Sequence, residues 1–126
     1  MPKVKISVGR VALHVDLLDT PTAQAILAAV PFDSRATTWP GEVYFQAPVR
    51  APLEGDALEV VQSGEIVFRS EGESIIIGYG PTPCSEGSEI RLAARANLWG
   101  RTSDDLTALS AVEAGDLVRV EAFDPA

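Results

Sequence analysis

The chain has 126 residues, 46% of them apolar, with a formal net charge of −8 and one cysteine. This length supports a single globular domain, residues 1–126, that buries roughly two-thirds of its surface without disulfides or metals. The ten basic residues are scattered from Lys3 to Arg119, so no stripe can neutralise consecutive phosphates and we expect no nucleic-acid partner. No apolar run has the length of a signal peptide or of a membrane span of roughly 20 residues, which predicts a cytoplasmic protein without a membrane partner.

Catalytic and metal-binding side chains are scarce. Cys84 has no partner for an internal disulfide, which fits a reducing compartment. Cys84 and His14 together are too few ligands for a zinc site, so we expect no metal and no cofactor. His14 lies on the strand face opposite Leu13 and Val15, as a solvated histidine would, and no second histidine exists to activate Cys84. We therefore assign no catalytic residue.

The first part of the chain predicts a hairpin followed by a helix. Two alternating segments flank Gly9-Arg10, a pattern typical of a two-residue turn. Thr20 before Pro21 is a helix start, because the hydroxyl caps free N–H groups and proline suits the first helical position. The predicted helix spans residues 21–30, and its apolar face packs on the sheet through Ala23, Ile26, Leu27 and Val30.

The middle of the chain predicts strands separated by short turns. In E-V-Y-F-Q-A, Val43, Phe45 and Ala47 share one face. The other face carries Glu42, Tyr44 and Gln46. Further along, Gly64 marks a turn before a short strand. Residues 69–73 then form a hairpin loop that leads into the isoleucine run at 75–77.

The last part predicts one long strand, a short helix and a closing strand. A-R-A-N-L-W-G-R is the long strand, and Asp104 and Asp105 favour the first turn of a helix over 104–112. In L-V-R-V-E-A, the residues Val118, Val120 and Ala122 form the inner side. Two helices and about eight strands predict a mostly β fold, a closed or nearly closed barrel capped by helices.

Four segments in this order resemble a known family. They are W-P-G-E-V-Y-F-Q-A-P-V, S-G-E-I-V-F, G-Y-G-P-T-P and A-N-L-W-G-R-T. Over nearly the whole chain they resemble a family of small prokaryotic proteins with a cyclophilin-like fold and no assigned activity. The most specific parts are W-x-G-E-x-Y-F and G-x-G-P-T-P. The resemblance implies an eight-stranded barrel with a helix over each end.

Differences from active cyclophilins argue against prolyl isomerase activity. Those enzymes carry an arginine at the position that corresponds to Gln46, where a cation hydrogen-bonds near the imide nitrogen, and glutamine supplies no charge. Arg50, the nearest substitute in sequence, lies beyond Pro48. Residues 74–76 also lack the aromatic side chains of the proline-binding strand. We therefore predict that the chain is not an active prolyl isomerase.

The chain also differs from the family that it resembles. Members often carry a Tyr-Trp-Pro-Pro-Gly turn where this chain has Phe68-Arg69-Ser70-Glu71-Gly72. Charged side chains thus replace the aromatic residue and the prolines at this hairpin tip. Any recognition role of the family's turn does not carry over directly.

The stretch G-Y-G-P-T-P-C-S at residues 78–85 raises the main functional question. Its two glycines let the backbone approach closely either a ligand or a neighbouring strand. We expect this loop and the outer face of the 42–47 strand to form one shallow binding surface for a mostly neutral ligand. Its candidate ligand-binding residues are Trp39, Tyr44, Gln46, Tyr79, Thr82 and Ser85. We expect Tyr44 and Thr82 to lie outside the core. Trp39 equally fits a structural plug beside the Pro40-Gly41 turn.

Three functions stay open from the sequence. The first is a non-catalytic module that binds a small molecule or a peptide. The second is an enzyme, either a weak prolyl isomerase or an accessory subunit of an amide- or lactam-hydrolysing complex, since similar domains occur in allophanate hydrolase and oxoprolinase. The third is a subunit that acts through a homo-oligomer interface. We rank the binding module first because one histidine and one cysteine cannot supply a nucleophile with its base.

Overall fold

Short alternating segments build an antiparallel barrel in the computed structural model, which describes residues 2–123. Its strands are β1 (Lys3–Val8), β2 (Val11–Leu17), β3 (Phe32–Arg35), β4 (Thr37–Trp39), β5 (Glu42–Gln46), β6 (Leu58–Val61), β7 (Glu65–Arg69), β8 (Ser74–Gly78), β9 (Ile90–Arg101) and β10 (Leu117–Phe123). The helix α1 spans Pro21–Ala29, and a 3₁₀ helix spans Thr107–Ala111. The mostly β prediction is confirmed, with ten strands in this region instead of eight. No helix in this region is long and apolar enough to cross a bilayer.

The strand order shows how the barrel closes. Hydrogen-bonded neighbours follow the order β3-β10-β1-β2-β9-β7-β8-β5-β4. Strand β6 lies off this path and pairs with β9 between Ile90 and Ala96. The two end strands, β3 and β4, are consecutive in the chain and meet at Ala36. The Ala36 N–H donates to the Asp116 carbonyl at 2.9 Å, and the Ala36 carbonyl accepts from the Gly115 N–H at 2.8 Å. The covalent chain itself thus joins the two ends of the sheet.

Apolar side chains pack on both faces of the barrel wall. The interior holds the largest fully buried side chains, including Phe45, Phe68 and Trp99. The predicted inward face of β5 is confirmed, as are Val118 and Val120 on β10. Ala122 is exposed, and its predicted burial is wrong, because the pairing of β10 with β3 ends at Val120. A second cluster lies between the barrel wall and β6, and consists of Val61, Val67, Ile76, Ile90, Leu92 and Ala96.

The helix α1 forms where the sequence predicts it. The Thr20 hydroxyl accepts a hydrogen bond from the Ala23 N–H at 3.1 Å, which is the expected cap. Ala23 and Ile26 are buried, but Leu27 is 37% exposed. The predicted burial of Leu27 is wrong because the helix contacts the barrel through a narrower stripe that starts at Thr22.

The second predicted helix, over 104–112, is wrong in type and extent. Only Thr107–Ala111 is helical, and it is a 3₁₀ helix. Asp105 Oδ1 accepts from the Thr107 N–H at 2.9 Å, so this carboxylate precedes the helix. Asp104 accepts instead from the backbone N–H of His14 at 2.7 Å. The two carboxylates therefore fix the loop and do not begin an α-helix.

A buried amide joins three separate parts of the fold. Asn97 on β9 is fully buried and donates to the Pro52 carbonyl at 2.9 Å and to the Thr22 hydroxyl at 3.0 Å. Its Oδ1 accepts from the Glu54 N–H at 2.8 Å. The Thr22 hydroxyl donates in turn to the Glu54 carboxylate. One side chain thus holds the loop around Pro52 and the start of α1 against the barrel.

We predict that Asn97→Ala strongly destabilises the protein. The change leaves the Glu54 N–H and the Pro52 carbonyl without their partner, and each unsatisfied buried group costs about 1–3 kcal/mol. Urea unfolding should show a loss of roughly 2–5 kcal/mol. Gln24→Ala, which removes an exposed amide from α1, is the control and should change stability by less than about 0.5 kcal/mol. Equal stability of Asn97→Ala and the parent would contradict the role of this network.

Candidate functional site

Three neighbouring strands present the outer face that contains the predicted binding residues. Across β5 and β8, Glu42 pairs with Gly78, Tyr44 with Ile76 and Gln46 with Ser74. The last row continues to Arg69 on β7. Alternation turns these side chains away from the barrel interior. The face therefore has a carboxyl group at one end and an arginine at the other.

Glu42 is the unusual residue of this face. It starts β5 directly after the Pro40-Gly41 turn and pairs with Trp39 on the neighbouring strand β4. Its side chain is buried, with an exposed fraction of 5%. Its Oε2 has no hydrogen-bond partner among the described residues. A buried polar atom without a partner is rare in folded proteins and calls for a physical explanation.

Burial sets the protonation of Glu42. Loss of hydration disfavours the charged form and raises the pKa of this carboxyl from 4.5 to about 7, while the positive charge of Arg69 acts in the opposite direction and more weakly. Glu42 is therefore divided between the neutral and the charged form near neutral pH. It can donate a hydrogen bond in one form and accept in the other.

The loop that follows β8 is fixed to the turn that precedes Glu42. The N–H groups of Tyr79 and Gly80 both donate to the Gly41 carbonyl, at 2.8 and 3.2 Å. Gly41 has a φ of +84°, and a Cβ at this position would come within 2.2 Å of the Pro81 carbonyl oxygen. Only glycine permits this approach. The close backbone approach expected in this region thus occurs between two loops of the protein itself.

The hydroxyl groups of the loop are used to hold its shape. Thr82 Oγ1 donates to the Arg91 carbonyl and accepts from the Cys84 N–H. Ser85 Oγ accepts from the N–H groups of Thr82 and Arg91, at 2.8 and 3.1 Å. Thr82 is 7% exposed, so the expectation that it lies outside the core is wrong. Both hydroxyls tie the loop to the start of β9.

The structure groups some of the predicted residues and separates others. Trp39 and Tyr44 are half-buried and flank Glu42. Trp39 pairs with Glu42 from the neighbouring strand β4, and Tyr44 lies two residues further along β5. Tyr79 packs against the interior cluster. Gln46 is exposed and pairs with Ser74, four residues from the point where β8 runs into the loop, or about 13 Å along the strand. Gln46 thus lies at the opposite end of the face from Thr82 and Ser85.

Sequence reasoning missed Glu42. Alternation placed it outward, and an outward glutamate normally reads as a solvated charge. Its position directly after W-P-G was the available signal, because the turn fixes it between two other strands. On β8, the Gly78 that pairs with Glu42 lies close to β9, since a Cβ on Gly78 would be 2.6 Å from Ile90 Cγ2.

The other reactive side chains are not built into a site. His14 is exposed, as predicted, and its Nδ1 lies 3.2 Å from Asp104 Oδ2. Cys84 is exposed. Within residues 2–123, no group of three or more potential ligands is arranged to hold a metal ion.

Together, the antiparallel barrel, the helix against one end and the turn-loop contact at Gly41 define a cyclophilin-like fold. The chain belongs to the family described as Cyclophilin-like, whose model matches residues 2–121. The predicted family resemblance is therefore confirmed.

Two solved structures are similar to this chain. The hypothetical protein AF2241 from Archaeoglobus fulgidus, solved in solution, is 31% identical, with a TM-score of 0.82 over 95% of this chain and 93% of that one. McbB, solved in complex with tryptophan, is 15% identical, with a TM-score of 0.68 over 94% of this chain and 44% of that one. The likeness to McbB shows a shared fold. No match is found among curated proteins.

We predict that Glu42 makes the stability of the protein depend on pH. Because its folded pKa of about 7 lies above the unfolded value of 4.5, the folded state holds the proton more tightly, and the free energy of unfolding falls as pH rises between these values. The loss amounts to roughly 3 kcal/mol above pH 7. Glu42→Gln should therefore match the parent near pH 5 and exceed its stability near pH 8 in urea unfolding.

The matched control for this test is Glu59→Gln. Glu59 has a side chain that is 56% exposed, so its replacement should change stability equally little at both pH values. If the difference between Glu42→Gln and the parent were the same at both pH values, the raised pKa would be contradicted.

Proposed function

We propose that this protein is a non-catalytic module that binds a small molecule at the outer face of β5, next to the loop at residues 79–85. The site would be formed by Trp39, Glu42 and Tyr44. The single observation that carries the proposal is the buried Glu42 carboxyl, whose Oε2 has no partner within the described residues. A ligand that hydrogen-bonds to this oxygen would remove the cost of leaving it unpaired.

The side chains around Glu42 support such a ligand. Trp39 and Tyr44 are both partly exposed and lie on either side of the carboxyl, so a bound molecule would contact two aromatic surfaces and one polar group. This combination of apolar walls and a single orienting polar group is common in small-molecule sites. Access to Glu42 would pass between these two side chains.

The chemistry favours a ligand with an N–H or O–H donor. A carboxyl with a pKa of about 7 accepts such a hydrogen bond at neutral pH without requiring a full positive charge on the ligand. The expectation of a mostly neutral ligand thus remains compatible with an acid in the site. An amide, an amine or a hydroxyl compound fits, whereas a carboxylate close to Glu42 would be repelled.

The remaining predicted residues would act at a distance from the ligand. Thr82 and Ser85 would keep the loop in place through their bonds to β9, which lowers the entropy lost when the ligand binds. Tyr79 would anchor the loop on the interior cluster. Gln46, at the far end of the face, would be reached only by a longer ligand such as a peptide.

Weak prolyl isomerase activity is a second candidate, favoured by one observation. Arg69 lies in the same cross-strand row as Gln46, one strand beyond Ser74, so a cation from β7 stands near the position where cyclophilins use one. Arg50 does not replace it, because its side chain is 94% exposed and pairs with Glu73 at 3.4 Å. A role as an accessory subunit or in a homo-oligomer rests on family resemblance alone.

We predict that a metabolite screen by thermal shift will yield a stabilising ligand that carries a donor group. Glu42→Gln and Tyr44→Ala should remove most of its stabilisation, because they remove the acceptor and one aromatic wall. Gln62→Ala, an exposed amide outside this face, is the control and should leave the shift unchanged. A ligand whose shift survives both site substitutions would place the binding surface elsewhere.

We predict no appreciable prolyl isomerase activity in a protease-coupled assay. The neutral Gln46 supplies no charge to the imide, and loss of one such donor costs on the order of 2.7–4 kcal/mol in a comparable case. Cyclophilin-like rates would contradict this expectation. Loss of those rates in Arg69→Gln, but not in Arg50→Gln, would then assign the missing cation to β7.

A further inference from the structure

A separate cavity lies at the tip of the hairpin formed by β7 and β8. Its volume is about 280 Å³, and it is lined by Leu53, Arg69, Ser70, Glu71, Ala94 and Arg95. The size suits a small metabolite more than a drug-sized molecule. This is the tip at which charged side chains replace the aromatic residue and prolines of the resembled family.

Two arginines from different strands line this cavity. Arg69 is the last residue of β7, and its Nε donates to the Glu71 carbonyl at 2.9 Å. Arg95 lies on β9, and its Nε and Nη2 donate to the carbonyls of Ala57 and Gly55 at 3.4 and 3.3 Å. Backbone carbonyls therefore orient both guanidinium groups and leave further N–H donors on each.

Neither arginine forms an ion pair among the described residues, although the charge of Arg69 acts on Glu42 from a longer distance. Within residues 2–123, carboxylates lie within 4.0 Å of Arg50, Arg91, Arg101 and Arg119 but not of Arg69 or Arg95. Among the described residues, Arg10 and Arg35 also have no carboxylate within this distance, but Arg69 and Arg95 line the same cavity. Glu71, on the rim, leaves the lining with a net charge of one positive unit. A ligand with a single negative charge would offset it.

The lining also includes two apolar residues, Leu53 and Ala94. Leu53 is 52% exposed and is one of three exposed large apolar side chains in the described part of the chain, with Leu27 and Leu117. Its backbone is held on both sides, because the Pro52 carbonyl and the Glu54 N–H both bind the buried amide of Asn97. Leu53 is therefore presented to solvent by a rigid loop, which lowers the ordering cost of any contact with it.

We propose that this cavity binds a small carboxylic acid with an aliphatic or aromatic group. The carboxylate would accept hydrogen bonds from the guanidinium groups of Arg69 and Arg95, in the geometry for which arginine is suited. The apolar group would pack on Leu53 and Ala94. Arg69 lies at the opposite end of the outer face from Glu42, and the cavity takes the opposite ligand charge, so the proposal does not rest on the function proposed above.

The test is a titration of the ¹⁵N-labelled protein with 4-methylpentanoate at low ionic strength, followed by amide chemical shifts. The expected result is saturable shifts confined to residues 53–54, 69–72 and 94–96. Acetate, which lacks the apolar group, and 4-methylpentanamide, which lacks the charge, should each bind at least about tenfold more weakly. Equal binding of acetate, or no saturation up to millimolar 4-methylpentanoate, would overturn the proposal.

Substitutions then locate the site. Arg95→Gln and Arg69→Gln should each weaken binding roughly tenfold, whereas Arg50→Gln, at a nearby arginine that pairs with Glu73 outside the cavity, should have no effect. Leu53→Ser keeps both arginines and their backbone bonds, so it tests the apolar part of the lining even if an arginine variant disturbs the hairpin. Unchanged affinity in Leu53→Ser and in Arg95→Gln would overturn the proposal.

Discussion

The buried amide of Asn97 is the interaction on which the barrel's surface features depend. It is the only point at which β9, the first turn of α1 and the segment around Pro52 bind the same side chain among the described contacts. Without it, the Pro52 carbonyl and the Glu54 N–H in the long connection between β5 and β6 would lose their partner. The network is satisfied on every member, which gives a buried polar cluster a defined geometry rather than a penalty.

Glu42 and Asn97 illustrate two opposite treatments of a buried polar group. Asn97 has a partner for each of its N–H groups and for its oxygen, and its role is to fix the fold. Glu42 has an oxygen without a partner among the described residues, and the pKa of its carboxyl is raised. Stability is sacrificed at a single position on the outer face, a pattern that proteins show more often at functional sites than elsewhere.

The sequence predicts the frame of this fold better than its details. Apolar alternation in β5 and β10 and the Thr20-Pro21 cap depend on local residues, so they identified the strands and α1. The prediction of the second helix was wrong because Asp104 binds the backbone of His14, a residue 90 positions away that no local pattern reveals. The predicted burial of Leu27 was wrong for a similar reason, since the barrel end sets the width of the contact that the helix makes.

The candidate sites were predictable only in part. Alternation correctly placed Tyr44 and Gln46 outward, but it could not show that Glu42 is buried, because burial on an outer face depends on segments distant in sequence. The sequence pattern also does not show that Arg69 and Arg95 line the same cavity, since 26 positions of sequence separate them. Charge composition indicated the rarity of cations and gave no information about which ones lack an ion pair.

The continuity of β3 and β4 through Ala36 has a consequence for how the chain can be rearranged. Because the covalent backbone closes the barrel at this point, new termini introduced at Ala36 would convert a closed wall into an open sheet with two free edges. Open edges invite pairing with other chains. Residues 32–39 are thus the segment where a circular permutation would exchange a closed barrel for a strand-swapped or aggregating protein.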